Sequence, residues 1–428
     1  MSSARQVAAK VIFEIEKNGS YSNILVDSAL KTADLSRVDS ALASMLIYGV
    51  LQRKITLDTV LDNVSGKGFK KTHPFVLAVL RVGAYQLLFT DKIPPSAAVN
   101  EAVKIVKKSK QSFASGFVNA VLRRVTNEKT QILKQISESD DLSFKYSCTK
   151  ELAESLINDY GFANACELLK SGLESPRLYC RKNNFCDNQN LAEDLLLKDI
   201  KLVKTDIDGA FYLENAGNVE ALDEFQNGEF FVQDLASQIA LSNFDIKDGM
   251  SLLDVCAAPG GKSFTATQYI GKNGRVVSCD IYEKRVGLIL SGAKRLKIDN
   301  LYATVNDATK YNDKLGLFDR VLCDVPCSGL GVIRRKPEIK YKDFKEFEAL
   351  RDIQLKILET SIQYLKPDGL LMYSTCTLRN AENRKIVDEF INSHSDFIIQ
   401  AEKTLMPHID GSDGFYFCVL KRKNCGQN

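Results

Sequence analysis

The stretch Ser251-Leu252-Leu253-Asp254-Val255-Cys256-Ala257-Ala258-Pro259-Gly260-Gly261-Lys262-Ser263 decides the fold. Its apolar run at 252–255 suits a parallel strand covered on both faces, and Ser263 onward supplies helix-forming positions. Between them lies a turn of small residues. Ala257, Ala258, Gly260 and Gly261 present almost no side chain, so a ligand can approach the backbone, and N–H groups at a helix start can meet negative charge.

Spacing separates the nucleotide-binding turns. The dinucleotide fingerprint G-x-G-x-x-G is absent. Gly261-Lys262-Ser263 matches the end of a phosphate loop, but Cys256 stands where that loop requires its first glycine. What remains is a strand, a glycine turn, and an acid closing the next strand, Arg275-Val276-Val277-Ser278-Cys279-Asp280. A carboxylate there can take both hydroxyls of a ribose.

From 228 onward strands and helices alternate. Strands are expected at 276–279, 301–305, 320–324 and 370–374, with helices at 283–296, 344–365 and 380–393. This pattern builds an open parallel sheet whose ligands sit beyond the carboxyl ends of the strands. Asp280, Asp307, Asp324 and Cys376 all fall at or just after such ends. The segments 397–402 and 415–420 add an antiparallel hairpin at the edge.

Two further motifs flank these ends, Asp324-Val325-Pro326-Cys327-Ser328-Gly329 and Tyr373-Ser374-Thr375-Cys376-Thr377. Together with the turn at 256–262, and in that order, they resemble the RNA cytosine-5 methyltransferases that use S-adenosylmethionine. Within that family the chain is similar to the bacterial branch acting on small-subunit (16S) ribosomal RNA, because its first third resembles a NusB-type RNA-binding domain. The resemblance implies a covalent mechanism. Carbon 5 of cytosine becomes nucleophilic once a thiolate adds to carbon 6, and deprotonation at carbon 5 then expels the thiol.

Either cysteine suits the attack on residue chemistry alone. Cys327 sits in a tight Pro-Cys-Ser-Gly turn, and Cys376 lies ahead of an expected helix, whose positive end favours a thiolate. The resemblance assigns Cys376 as nucleophile and Cys327 as the partner for release. Asp324 is expected to hydrogen-bond the base. The cofactor contacts it implies are Cys256, Ala257, Ala258, Pro259, Gly260, Gly261, Lys262, Asp280, Arg285, Asp307 and Asp324, with Lys262 and Arg285 near substrate or cofactor carboxylate. Asp307 serves equally as a cap for the turn at 308–310. Arg334, Arg335 and Lys336 are candidates for phosphate. Val325 and Leu330 replace smaller residues of the family pattern.

The remaining sequence bounds the class. At 428 residues, 45% hydrophobic and 26% charged, the chain supports two or three globular domains. No apolar run reaches about 18 residues and Met1-Ser2-Ser3-Ala4-Arg5 lacks a signal-peptide core, so a cytoplasmic protein without a membrane partner is expected. Eleven cysteines without a C-x-x-C pair, and three histidines, argue against a metal site. A monomer is expected.

Residues 1–130 read as a helical domain: Val7, Ala8, Val11, Ile12 and Ile15 recur at helical spacing, as do Leu77, Leu80, Ala84 and Leu88. Ser96 is the expected cap after Pro94 and Pro95. Lys104, Lys107, Lys108, Lys110, Arg123, Arg124 and Lys129 give the segment at 97–129 a basic bias, read as a solvated helix face on charge alone and as an RNA surface by the resemblance. A polar linker is expected at 126–147, a small α+β module at 148–227, and the α/β Rossmann-like methyltransferase domain at 228–428. The alternative is a NusB-like RNA-binding or ribosome assembly factor whose methyltransferase fold is inactive.

Overall fold

The computed structural model of the protein describes residues 3–18, 22–66, 68–69, 72–187 and 189–423. The chain divides into two compact units, one of residues 1–174 and 333–342 and the other of residues 175–332 and 343–428.

The first unit is built from helices Ala4–Asn18, Ser22–Thr32, Arg37–Gln52, Lys54–Ser65, Pro74–Phe89, Pro95–Lys107, Ser115–Asn127, Lys129–Glu138, Leu142–Tyr146 and Lys150–Ser171. The apolar positions that recur in sequence meet in one core, where Ile12, Leu46, Leu80, Val106 and Leu122 are buried. Ser36 caps the third helix by accepting from the Asp39 amide at 3.1 Å. Ser96 does not cap its helix. Pro94 is the cap and Pro95 the first helical residue, where a missing N–H costs nothing.

The polar stretch at 126–147 is mostly helical rather than a linker, because Ile132, Ile136 and Leu142 bury apolar side chains among its polar residues. The helix Lys150–Ser171, bent where Gly161 takes φ 77°, belongs to this unit and not to the small module. Residues 333–342 also pack here: Lys340 donates to the Gln52 carbonyl at 2.7 Å and Tyr341 to that of Leu51 at 2.7 Å.

One buried charge ties this core together. Arg81, 4% exposed, forks onto Asp58 at 2.6 and 2.8 Å and pairs with Glu16 at 2.6 Å. Replacing Arg81 by Met takes the guanidinium from Asp58 and leaves Glu16 paired with Lys54 at 3.0 Å, so Arg81→Met is expected to cost about 1–3 kcal/mol in denaturant unfolding of the helical unit.

The second unit contains two sheets. The smaller comprises β1 (Leu178–Lys182), β2 (Lys201–Lys204), β3 (Ala210–Glu214) and β4 (Phe230–Val232), in the order β2-β3-β1-β4 with every pairing antiparallel. β4 lies inside the range 228–428 expected for the Rossmann-like domain. It pairs with β1 instead, with Phe230 buried beside Cys180, Leu195 and Phe211.

The larger sheet comprises β5 (Ser251–Asp254), β6 (Arg275–Asp280), β7 (Leu301–Val305), β8 (Phe318–Asp324), β9 (Leu365–Thr375), β10 (Phe397–Leu405) and β11 (Phe415–Arg422). Its order is β10-β11-β9-β8-β5-β6-β7. The five strands from β5 to β9 are parallel, as the alternating pattern requires, and β11 runs antiparallel between β9 and β10. The sheet is therefore a mixed Rossmann-like one and not purely parallel. Both faces are covered: Leu252, Leu322 and Met372 enter one apolar layer, and Leu253, Val321 and Tyr373 the other. Among the described residues no helix is long and apolar enough to cross a membrane.

Candidate active site

The carboxyl ends of β5, β6, β8 and β9 bring the candidate site residues together, and each acid there has its own surroundings. Asp254 closes β5 fully buried, accepting from the Ser263 hydroxyl at 2.7 Å. Burial pushes its carboxyl up to about 7. Asp280 closes β6, accepts the Tyr282 amide at 3.1 Å and pairs with Arg285 at 3.2 Å. Asp324 closes β8, held between the Lys262 ammonium at 2.8 Å and the Ser374 hydroxyl at 2.9 Å.

The turn between β5 and the helix Gly261–Ile270 opens a cradle beside these acids. Gly260 takes φ 113° and an added Cβ there would lie 2.4 Å from the Phe264 ring, so the position requires glycine. A Cβ added at Gly261 would meet nothing nearer than Gln233 at 3.7 Å, so the backbone of the first helical turn can be approached closely. The Ala257 amide donates to the Cys279 carbonyl at 2.7 Å, and Arg285 bridges the Ala258 carbonyl at 3.0 Å and Asp280. These bonds bring the turn, Asp280 and Arg285 together as one lip.

Lys262 turns the other way, toward Asp324 and over the Phe415 ring at 4.9 Å. Burial disfavours its charge, but Asp324, and Cys376 when ionised, outweigh that and raise its proton affinity above the ordinary lysine value. Asp307, beyond β7, accepts from the Thr309 amide at 3.1 Å and hydroxyl at 2.6 Å and pairs with Lys310 at 3.0 Å. The Thr309 hydroxyl, followed by Lys310, holds its carboxyl below the usual range. It caps the turn that follows, and none of its contacts reaches the other site residues.

The two cysteines meet. Cys327 and Cys376 lie with their sulfurs 3.3 Å apart, both half-buried. Cys376 does not stand at a helix N-terminus: a 3-10 turn at Asn380–Glu382 intervenes and the helix starts only at Arg384, because Asn383 at φ −111°, ψ −104° breaks it. The positive charge near Cys376 is that of Lys262. Cys256 is a thiol pushed well above its ordinary value, first by burial. Of the three expected phosphate contacts Arg334 is buried, and Arg335 and Lys336 are half-buried, all in the segment 333–342 that belongs to the helical unit.

Two residues that sequence reading missed, Gln354 and Glu382, help hold this arrangement. Glu382 accepts the Ser328 amide at 2.9 Å, Gln354 donates to the Pro326 carbonyl at 2.9 Å, and the hydroxyls of Ser328 and Thr377 lie 2.8 Å apart. Their sequence signal is weak, since Gln354 and Glu382 read as ordinary helix positions.

Comparison with known proteins identifies the lineage. A family model described as 16S rRNA methyltransferase RsmB/F matches residues 241–421, and one for the NusB family matches residues 2–127. The chain is 34% identical to a probable ribosomal RNA small subunit methyltransferase B of Bacillus subtilis (strain 168), over 98% of this chain and 99% of the relative. It belongs to the ribosomal RNA small subunit methyltransferase B family. A member from Escherichia coli O1:K1 / APEC is 30% identical over 98% of each chain. Among solved structures, PH0851 shares the fold at TM-score 0.82 and 21% identity over 99% of both chains. NSun6 from Pyrococcus horikoshii, solved with SFG, aligns at TM-score 0.59 and 20% identity, over 64% of this chain and 98% of its own.

The protein is thus an S-adenosylmethionine-dependent ribosomal RNA methyltransferase with a NusB-like helical domain and a Rossmann-like methyltransferase domain. The glycine cradle and the buried Asp280 carboxylate fit that cofactor, one accepting close backbone approach and the other hydroxyl donors.

Two expectations follow from this geometry. An added Cβ at Gly331 would lie 1.9 Å from the Gly414 carbonyl oxygen and 2.8 Å from that of Cys376, both backbone, so Gly331→Ala must displace the loop carrying Cys327. Methyl transfer should fall at least tenfold, with about 1–3 kcal/mol lost from stability. Asp254, raised from 3.8 to about 7, favours the fold fully below its unfolded value and loses that contribution as pH rises through about 7. Asp254→Asn should therefore lose less stability than the parent between pH 5 and 8 in denaturant titrations.

Proposed function

We propose that the protein transfers a methyl group to carbon 5 of a cytosine in small-subunit ribosomal RNA, with Cys376 forming a covalent adduct at carbon 6. The observation that carries this reading is the Cys327–Cys376 pair at 3.3 Å, beside the Lys262–Asp324 ion pair at 2.8 Å. S-adenosylmethionine supplies an electrophilic methyl group.

The chain's own residues then divide the work. Cys376, with the Lys262 ammonium near it, is the attacking thiolate; Asp324, fixed by Lys262 and Ser374, hydrogen-bonds the edge of the base as negative charge develops on the ring. Cys327 acts after methylation, when the carbon 5 proton leaves and the Cys376–carbon 6 bond breaks. Gly260, Gly261 and Asp280 hold the cofactor, with Cys256, Ala257, Ala258 and Pro259 contributing turn backbone. Arg285 orients Asp280, and Asp307 receives the adenine end.

The helical domain is assigned to RNA recognition. Lys104, Lys107, Lys108, Lys110 and Arg123 are exposed there, with Phe113 82% exposed among them, a combination of cations and an aromatic face suited to phosphate and base. The enzyme acts as a cytoplasmic monomer on the RNA of an assembling small subunit.

Incubation with tritiated cofactor and small-subunit ribosomal RNA should place label in 5-methylcytosine; tight RNA binding without transfer would instead support an inactive assembly factor. Cys327→Ala should accumulate a protein–RNA adduct that survives denaturing electrophoresis, and Cys376→Ala should form none. The opposite pattern reverses the two roles.

A further inference from the structure

Glu382 is fully buried, yet it carries a carboxylate, and its contacts converge on one residue it does not touch. Its Oε2 accepts the Ser328 amide at 2.9 Å and the Gln354 side-chain amide at 3.0 Å. The same Gln354 nitrogen donates to the Pro326 carbonyl at 2.9 Å. The peptide groups on both sides of Cys327 are therefore fixed by one carboxylate–amide pair. Tyr373 donates to the Glu382 carbonyl at 2.6 Å and locks its backbone, while Oε1 accepts no hydrogen bond among the described residues. The nearest counter-charge, Arg379, stands 3.8 Å from Oε1 and is drawn toward Glu348 on its other side.

A neutral glutamine would satisfy the same two donors, so the hydrogen bonds alone do not account for a buried charge. The charge acts on the sulfur pair. Two thiols 3.3 Å apart ionise as a unit: the first proton goes to water, and the second is shared between Cys327 and Cys376. A negative charge on the Cys327 side keeps that proton on Cys327.

We propose that Glu382 is a positioning residue for the methyl transfer, fixing the backbone around Cys327 and biasing the shared proton onto its sulfur so that Cys376 is the thiolate. The hydrogen bond with Cys376 comes first among the causes holding the Cys327 thiol well above its ordinary value, then burial, then the charges of Cys376, Glu382 and Asp324. This role rests on the reading of Cys376 as the attacking sulfur, and it explains how two adjacent cysteines acquire different duties.

The test is competitive alkylation with limiting iodoacetamide, without RNA, followed by mass spectrometry of the label at each cysteine. In the parent, Cys376 should carry most of the label. Glu382→Gln keeps both hydrogen bonds and removes the charge; the Cys376-to-Cys327 label ratio should fall about tenfold, as expected for a relative shift of about one pKa unit. The kcat for methyl transfer should fall while KM for S-adenosylmethionine stays unchanged. Arg379→Gln removes the counter-charge and should move the ratio the other way, which keeps the test usable if Glu382→Gln does not fold. An unchanged ratio in Glu382→Gln, or an unchanged or lower one in Arg379→Gln, overturns the role. Labelling needs no RNA, so a shifted ratio in a protein that methylates no cytosine would remove the cytosine reading alone, and an unshifted ratio in an active methyltransferase would remove the Glu382 role alone.

Discussion

The site depends on β8 and β9 lying side by side in parallel. Their register sets Asp324 opposite Ser374, so the chain leaving each strand emerges at the same edge of the sheet, and the motifs that follow must meet. Backbone bonds then stitch the two exits together: the Val325 amide donates to the Ser374 carbonyl at 3.1 Å and the Gly331 amide to that of Cys376 at 3.0 Å. A slip of one residue would turn Asp324 to the opposite face and separate it from Lys262. Such a slip is opposed by both apolar layers, because Leu322 and Cys323, and likewise Met372 and Tyr373, would exchange sides.

That shared edge also explains why acids on neighbouring strands behave differently. Asp254 has a serine hydroxyl as its donor and is pushed up to about 7 by burial. Asp280, equally enclosed, receives an amide and a guanidinium. Asp324 is more open and receives a full ammonium. Lys262 is the link, because it sits on the first turn of the helix after β5 and reaches across to Asp324 at the end of β8, joining the glycine turn to the side of the cysteine pair.

Much of this was legible in the sequence because it is local. A two-faced apolar run such as Leu252-Leu253 can only be a central strand, and the small residues from Ala257 to Gly261 leave no reading but an uncluttered turn. The parallel order then put Asp280, Asp324 and Cys376 at one edge. What escaped was decided by partners far along the chain. β2 is a half-exposed edge strand with no apolar run to announce it, and β4 looked like part of the larger sheet until β1 supplied its hydrogen bonds. The helices at 129–146 hide a few buried apolar positions among polar ones. Asp324 was recognised as a site residue, but not that Lys262 would neutralise it; Gln354 and Glu382 matter only because they fold against Pro326 and Ser328.

Burial also separates the two cysteines proposed to react from those inside the strands. Cys279 and Cys323 lie inside β6 and β8, and burial pushes each thiol to about 12, where a thiolate is out of reach near neutral pH. Cys327 and Cys376 lie just past the sheet, half-buried and with their sulfurs 3.3 Å apart, and the Lys262 ammonium stands near Cys376. In the proposed mechanism the same residue type is core filler a few positions inside the strand and a nucleophile a few positions beyond it. Position relative to the sheet edge, with the charge waiting there, makes the difference.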